Sequence, residues 1–264
     1  MQASINGIRM TYDVSGAESA PVVVLHHPLA SNLSMWDEIT PVLTGKYRVV
    51  RFDARGHGQT EAPKGPYAFE TLAADVVALM DHLKINKADF LGLSMGGMVG
   101  QYLGLLHADR FSSLQLVSTS SRVPDEAKHL WVERVTVARQ KGMASQVAPA
   151  LGRWITEENR QKPALVARLS KMIETTPLEG YAGWCQCIHG LNVTDRLKAI
   201  TLPTRVIVGQ ADPATPVAAS EAIHREIKGS DLVIMPNVSH MLCAEDPPAF
   251  HKHVLEFLAK HPAK

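Results

Sequence analysis

The sequence predicts an α/β fold: a mostly parallel sheet flanked by helices, with an all-helical cap inserted after the sixth strand. Short apolar runs alternate with stretches that carry apolar residues at helical spacing, the pattern of a sheet whose crossovers are helices. Gly92-Leu93-Ser94-Met95-Gly96 stands where an apolar run, 88–93, meets a helical stretch, 95–106. The alternation stops at 121 and resumes at 197, so the expected organisation is a core of 1–120 and 197–264 with a helical cap of 121–196.

Each element follows from local pattern. Asn6-Gly7 between two short alternating runs is a hairpin signal joining 3–5 to 8–14. The continuous apolar run 22–25 suits a strand covered on both faces. A helix is expected near 35–43, a strand at 47–52, a helix over 69–83, and a strand at 113–117. Successive helical stretches, 126–141, 145–155, 163–174 and 178–188, form the expected cap. Strands at 205–208 and 232–235 and helices near 217–227 and 248–260 complete the pattern.

Composition excludes several function classes. With 27 basic and 26 acidic side chains the net charge is close to zero, so no nucleic-acid partner is expected. No apolar run approaches the ~18 residues of a membrane span, and the first residues carry no signal-peptide pattern, so a cytoplasmic protein is expected. Cys185, Cys187 and Cys243 fit neither a disulfide framework nor a zinc site and read as reduced packing residues. No metal or organic cofactor is expected, and the oligomeric state is not legible.

The chemistry centres on Ser94. A strand turning sharply into a helix leaves no room beside the turn, which accounts for Gly92 and Gly96 and forces the serine outward. The Met95 amide then lies at a helix N-terminus, where an anion is favoured. A serine hydroxyl needs a base within hydrogen-bond reach and an acid to orient that base. In an open α/β sheet the reacting groups gather at the carboxyl ends of strands. His26, His27 and His240 directly follow predicted core strands; His240, late in the chain, is the candidate base. Asp212, at the tip of the preceding strand, is the candidate acid; Asp53 precedes the serine in Gly-rich sequence that suits a turn-forming role.

These residues resemble the α/β-hydrolases, whose chain order is serine, acid, histidine, and among them the 3-oxoadipate enol-lactonases. The likeness covers nearly the whole chain. The elbow at Ser94 and Arg55-Gly56-His57-Gly58 mark the superfamily; Glu61-Ala62-Pro63-Lys64-Gly65-Pro66-Tyr67, Trp131-Val132-Glu133-Arg134 and Glu179-Gly180-Tyr181-Ala182 are narrower. The resemblance implies an α/β-hydrolase fold, an oxyanion hole made by Met95 and an amide of the loop after 22–25, and a Trp131 that faces the pocket from the cap. Pro28 has no amide to donate, which leaves Leu29 as the second donor with Ala30 as the alternative. The implied substrate is a small ester or lactone, most specifically 3-oxoadipate enol-lactone. Its carboxylate needs a partner, and Arg134 is the candidate, its alternative role being that of a helix-surface arginine. The chain departs from the family at His26-His27-Pro28, where the enol-lactonases carry small polar residues; these imidazoles either touch substrate or bond backbone under the loop. The rival readings are a general carboxylesterase, a cofactor-free perhydrolase with the same triad, and a small-molecule receptor on a hydrolase fold. The chemistry of superfamily members that use an Asp at the elbow is disfavoured by Ser94.

Overall fold

The computed structural model describes residues 1–261. It contains an eight-stranded sheet built from β1 (Gln2–Ile5), β2 (Ile8–Ser15), β3 (Val22–His26), β4 (Arg48–Phe52), β5 (Ala88–Leu93), β6 (Phe111–Val117), β7 (Thr204–Gly209) and β8 (Asp231–Met235). Their order is β1-β2-β4-β3-β5-β6-β7-β8. The β1-β2 and β2-β4 pairs are antiparallel, and from β4 to β8 every pair is parallel. The opening hairpin turns through Asn6 and Gly7, both at positive φ (45° and 78°), as a two-residue turn matched to strand twist requires.

The helices are α1 (Thr40–Leu43), α2 (Phe69–His82), α3 (Met95–Leu106), α4 (Lys128–Lys141), α5 (Val147–Trp154), α6 (Pro163–Glu174), α7 (Leu178–His189), α8 (Val217–Glu226), α9 (Leu242–Glu245) and α10 (Pro247–Lys260). Helices α4 to α7 follow one another between β6 and β7. Among the described residues no helix is long and apolar enough to cross a membrane.

The central strands are buried on both faces because their side chains alternate between two apolar layers. Val24 and Phe90 enter one cluster with Trp184, whereas Val23, Leu25 and Leu91 enter the other with Trp36. Every residue of β3 and β5 is buried. Cys185, Cys187 and Cys243 are free and buried, and burial pushes each thiol up to about 12.

The expected helix at 35–43 is instead a 3-10 turn, Leu33–Trp36, followed by the short α1. Asn32 starts the turn by accepting the Ser34 amide, and Pro41 lies in the first turn of α1. A proline is tolerated there but cannot continue a preceding helix, since it has no N–H and its ring clashes with a carbonyl one turn back. The expected helix at 145–155 likewise begins as a 3-10 turn, Met143–Gln146, before α5.

Candidate active site

Ser94 follows β5 and caps α3 with φ 55° and ψ −110°, a conformation that costs free energy for any residue with a side chain. Its surroundings hold it there. The Ser94 amide donates to the Val117 carbonyl at 2.7 Å, and the Thr119 hydroxyl donates to the Ser94 carbonyl at 2.8 Å. A Cβ on Gly92 would lie 2.3 Å from the Gly96 carbonyl oxygen, and one on Gly96 would lie 2.3 Å from that of His26. Both positions therefore exclude side chains, which is the steric reason for the glycines that flank the serine.

Asp212 lies in the loop after β7, and His240 in the loop after β8. The His240 Nδ1–H donates to Asp212 Oδ2 at 2.8 Å, so Nε2 remains the free nitrogen of that ring. Asp212 Oδ1 accepts the amides of Ala214 (2.8 Å) and Thr215 (3.0 Å), and Oδ2 also accepts the Thr215 hydroxyl (2.8 Å). Burial works to raise the Asp212 pKa, but the His240 interaction and the Thr215 bonds outweigh it, and the carboxyl is held below its ordinary value. Both side chains are buried. Asp53, the other post-strand aspartate, accepts the amides of Leu33 and Gln59, both at 2.8 Å, and so holds a turn.

A cavity of about 360 Å³ is lined by Ser94 and His240 together with Leu29, Trp131, Arg134 and Arg153. The expected serine, base, oxyanion-loop residue and helical pair are thus brought to one space. The Arg134 guanidinium lies 4.4 Å from the centre of the Trp131 ring, a cation–π contact between residues one turn apart on α4. The Met95 amide, first in α3, has no acceptor within its own helix. In the loop after β3 the Ala30 amide donates to His57 Nε2 at 3.0 Å, whereas among the described residues the Leu29 amide has no protein acceptor. Of these two amides, that of Leu29 is the one left free to donate.

His26 and His27 are not among the residues that line the cavity, and of the two roles open to them the structure shows the bonding of backbone under the loop. Each lies under the loop and donates Nδ1–H to a backbone carbonyl, His26 to that of His27 (3.0 Å) and His27 to that of Pro28 (2.8 Å). His27 Nε2 also accepts the Ala54 amide at 2.9 Å. Burial, aided by the neighbouring His27, lowers the His26 pKa to about 3; burial also lowers those of His27 and His57. Neutral imidazole is what these positions need, because a ring protonated on both nitrogens has no acceptor for the Ala54 or Ala30 amide.

Sequence reasoning missed Arg153, Thr119 and Thr215. Thr215 had a signal: an Asp followed by Pro213 and Ala214 is a turn in which the carboxylate accepts amides two and three residues on. Arg153 had none, since its helical stretch does not show which face meets the cavity. Among the described residues, no group of His, Cys, Asp and Glu side chains is arranged to hold a metal ion.

A family model described as the alpha/beta hydrolase fold matches residues 21–247. The chain is 33% identical to 3-oxoadipate enol-lactonase 2 of Acinetobacter baylyi over 254 residues, spanning 96% of this chain and 94% of that one. It superposes on the crystal structure of the enol-lactonase from Burkholderia xenovorans with a TM-score of 0.95 at 37% identity, covering 98% of this chain and 100% of the other. A thermophilic esterase from Thermogutta terrifontis, solved with malate bound, superposes with a TM-score of 0.93 at 28% identity over 100% of both chains. The chain therefore belongs to the α/β-hydrolase fold family and is an ester or lactone hydrolase similar to the 3-oxoadipate enol-lactonases.

Proposed function

We propose that the protein hydrolyses 3-oxoadipate enol-lactone to 3-oxoadipate through an acyl-enzyme on Ser94. The observation that carries the reading is the Asp212–His240 hydrogen bond, which leaves His240 Nε2 free in the cavity that also exposes the strained Ser94. The likeness to enol-lactonases supports the choice of substrate.

The chemistry follows from these positions. His240 Nε2 takes the Ser94 proton as Oγ attacks the lactone carbonyl, and Asp212 stabilises the imidazolium that forms. The amides of Met95 and Leu29 receive the oxyanion. Collapse breaks the ring C–O bond, and the departing enolate takes the proton held on His240 Nε2 and becomes a ketone, which returns His240 to its neutral form. His240 then draws a proton from water, which attacks the acyl carbonyl and frees Ser94. Residues 121–196 act as a cap over a core of 1–120 and 197–264, with Trp131 against the apolar part of the lactone and Arg134 toward its carboxylate.

A general carboxylesterase is the second reading, favoured by the likeness to the Thermogutta terrifontis esterase. Steady-state kinetics on the enol-lactone and on uncharged p-nitrophenyl esters separate the two. An enol-lactone kcat/KM at least a hundredfold above that of p-nitrophenyl acetate supports the first, and the reverse order overturns it.

A further inference from the structure

The cavity wall is charged in one sense. Arg122, Arg134 and Arg153 line it and no Asp or Glu does. Among the described residues none of the three has a carboxylate within ion-pair distance. Arg134 and Arg153 are half-buried, whereas Arg122 is exposed. Arg51, Arg55 and Arg205, also partly buried, are paired with Asp13, Asp75 and Asp231, although Arg48 is not. Two half-buried cations left unpaired in one space carry a desolvation cost that an anionic ligand would relieve.

The two cations come from different elements. Arg134 projects from α4 across Trp131. Arg153, at the end of α5, is fastened beside the His240 loop: the Arg153 carbonyl accepts the Ser239 hydroxyl at 3.3 Å, and the Trp154 carbonyl accepts the Met241 amide at 2.8 Å. They are close enough to repel. Burial, and then the charge of Arg134, lower the Arg153 pKa to about 10, which still leaves it a cation at neutral pH.

We propose that Arg134 and Arg153 form a two-cation seat for a dicarboxylate, so that the cavity holds the dianionic product of its own reaction more tightly than the monoanionic substrate. The inference rests on the reading that this cavity holds the reacting lactone. Charge balance supplies the reason. A lactone bearing one carboxylate takes up one water, its ring C–O bond is replaced by a carbon–oxygen bond from water, and it leaves as a dicarboxylate with one proton released through His240. The newly formed carboxylate arises at Ser94, in the cavity that Arg153 also lines. The product thereby pairs both cations, and the protein is expected to be product-inhibited.

The test compares adipate with hexanoate, of equal chain length but with one carboxylate fewer, by calorimetric titration of the full chain. Adipate should bind at least about tenfold more tightly, and raising NaCl from 50 to 500 mM should weaken adipate more than hexanoate. In Arg153→Gln the preference should fall to about threefold or less, with Arg153→Lys intermediate. Equal affinities in the wild type, or an unchanged preference in a folded Arg153→Gln protein, overturn the proposal. Should Arg153→Gln not fold, Arg153→Lys and the wild-type salt series decide. Enol-lactone turnover on the same sample keeps the two readings apart. Adipate preference without turnover leaves the two-cation seat standing and removes the enol-lactonase reading; turnover without preference does the reverse.

Discussion

Replacing Asp212 by Asn tests the proposed triad with almost no change of shape. The amides of Ala214 and Thr215 both point at Oδ1, at 2.8 and 3.0 Å. The Asn carboxamide oxygen will stay there, because turning it away would set an NH2 group against two N–H donors. Its NH2 must then face His240 Nδ1, where the carboxylate now accepts at 2.8 Å. Two donors cannot share that contact, so the imidazole carries its proton on Nε2, the atom that has to accept from Ser94. The variant loses both the correct tautomer and the charge opposite the imidazolium, and in serine proteases the same exchange of acid for amide costs about four powers of ten in kcat. A loss of about three to four powers of ten is expected, with KM changed little, since no Asp212 atom lines the cavity. Stopped assays on the enol-lactone, with circular dichroism to show a folded protein, measure it. Activity within tenfold of wild type, or an equal loss in Asp53→Asn with a silent Asp212→Asn, would refute the reasoning.

Ser94→Ala should abolish turnover by several powers of ten while the protein folds, which active-site titration and thermal melting check together. Arg134→Ala should lower kcat/KM for the enol-lactone by about ten- to a hundredfold more than for p-nitrophenyl acetate, the value of one charge-assisted contact; equal losses on both substrates would point to folding of the helical segment. Asp89 makes stability depend on pH. It is buried, accepts one bond from the Ser113 hydroxyl at 2.6 Å, and burial raises its pKa to about 6 against opposing effects of Ser113 and Lys87. Because the folded pKa is the raised one, stability is greatest below the unfolded value and is lost as pH rises through about 6, by roughly 3 kcal/mol in all and roughly 1.4 kcal/mol between pH 5 and 7.5. Asp89→Asn should remove that last difference in urea titrations at the two pH values; an identical pH slope in both proteins would rule it out.

Much of this molecule is legible because its signals are local. Helices α3 and α6 begin and end where periodicity puts them, and the Asn6-Gly7 turn is fixed by two residues that accept positive φ. Strand position, together with the serine, acid, histidine order that the family resemblance implies, predicts Asp212 and His240 as neighbours, and they are bonded. What was not legible depends on partners distant in sequence. Thr119 reaches Ser94 across 25 residues because β6 lies beside β5. Arg153 enters the cavity because the end of α5 is bonded to Ser239 and Met241 in the loop after β8, a placement that spacing within one helix cannot encode.

The departure at His26-His27-Pro28 acquires a physical meaning once the rings are placed. With His57 they form a buried group, His26–His27 and His27–His57 ring centres lying 5.6 and 5.2 Å apart, with Trp184 6.0 Å from both His26 and His57. His27 and His57 each accept an amide through Nε2, from Ala54 and Ala30, and His27 donates through Nδ1 to the Pro28 carbonyl. The chain on both sides of Leu29 is thereby fixed to the turn after β4. A proline at 28 removes one amide, His57 occupies that of Ala30, and among the described residues the Leu29 amide between them is left without a protein acceptor. The imidazoles thus hold, from beneath, the loop that carries the proposed oxyanion donor. Their lowered pKa values set the cost: stability from these neutral rings is full above the unfolded histidine pKa of about 6.5 and is lost as pH falls toward their folded values, so acid acts on this loop in the opposite sense to its effect on Asp89.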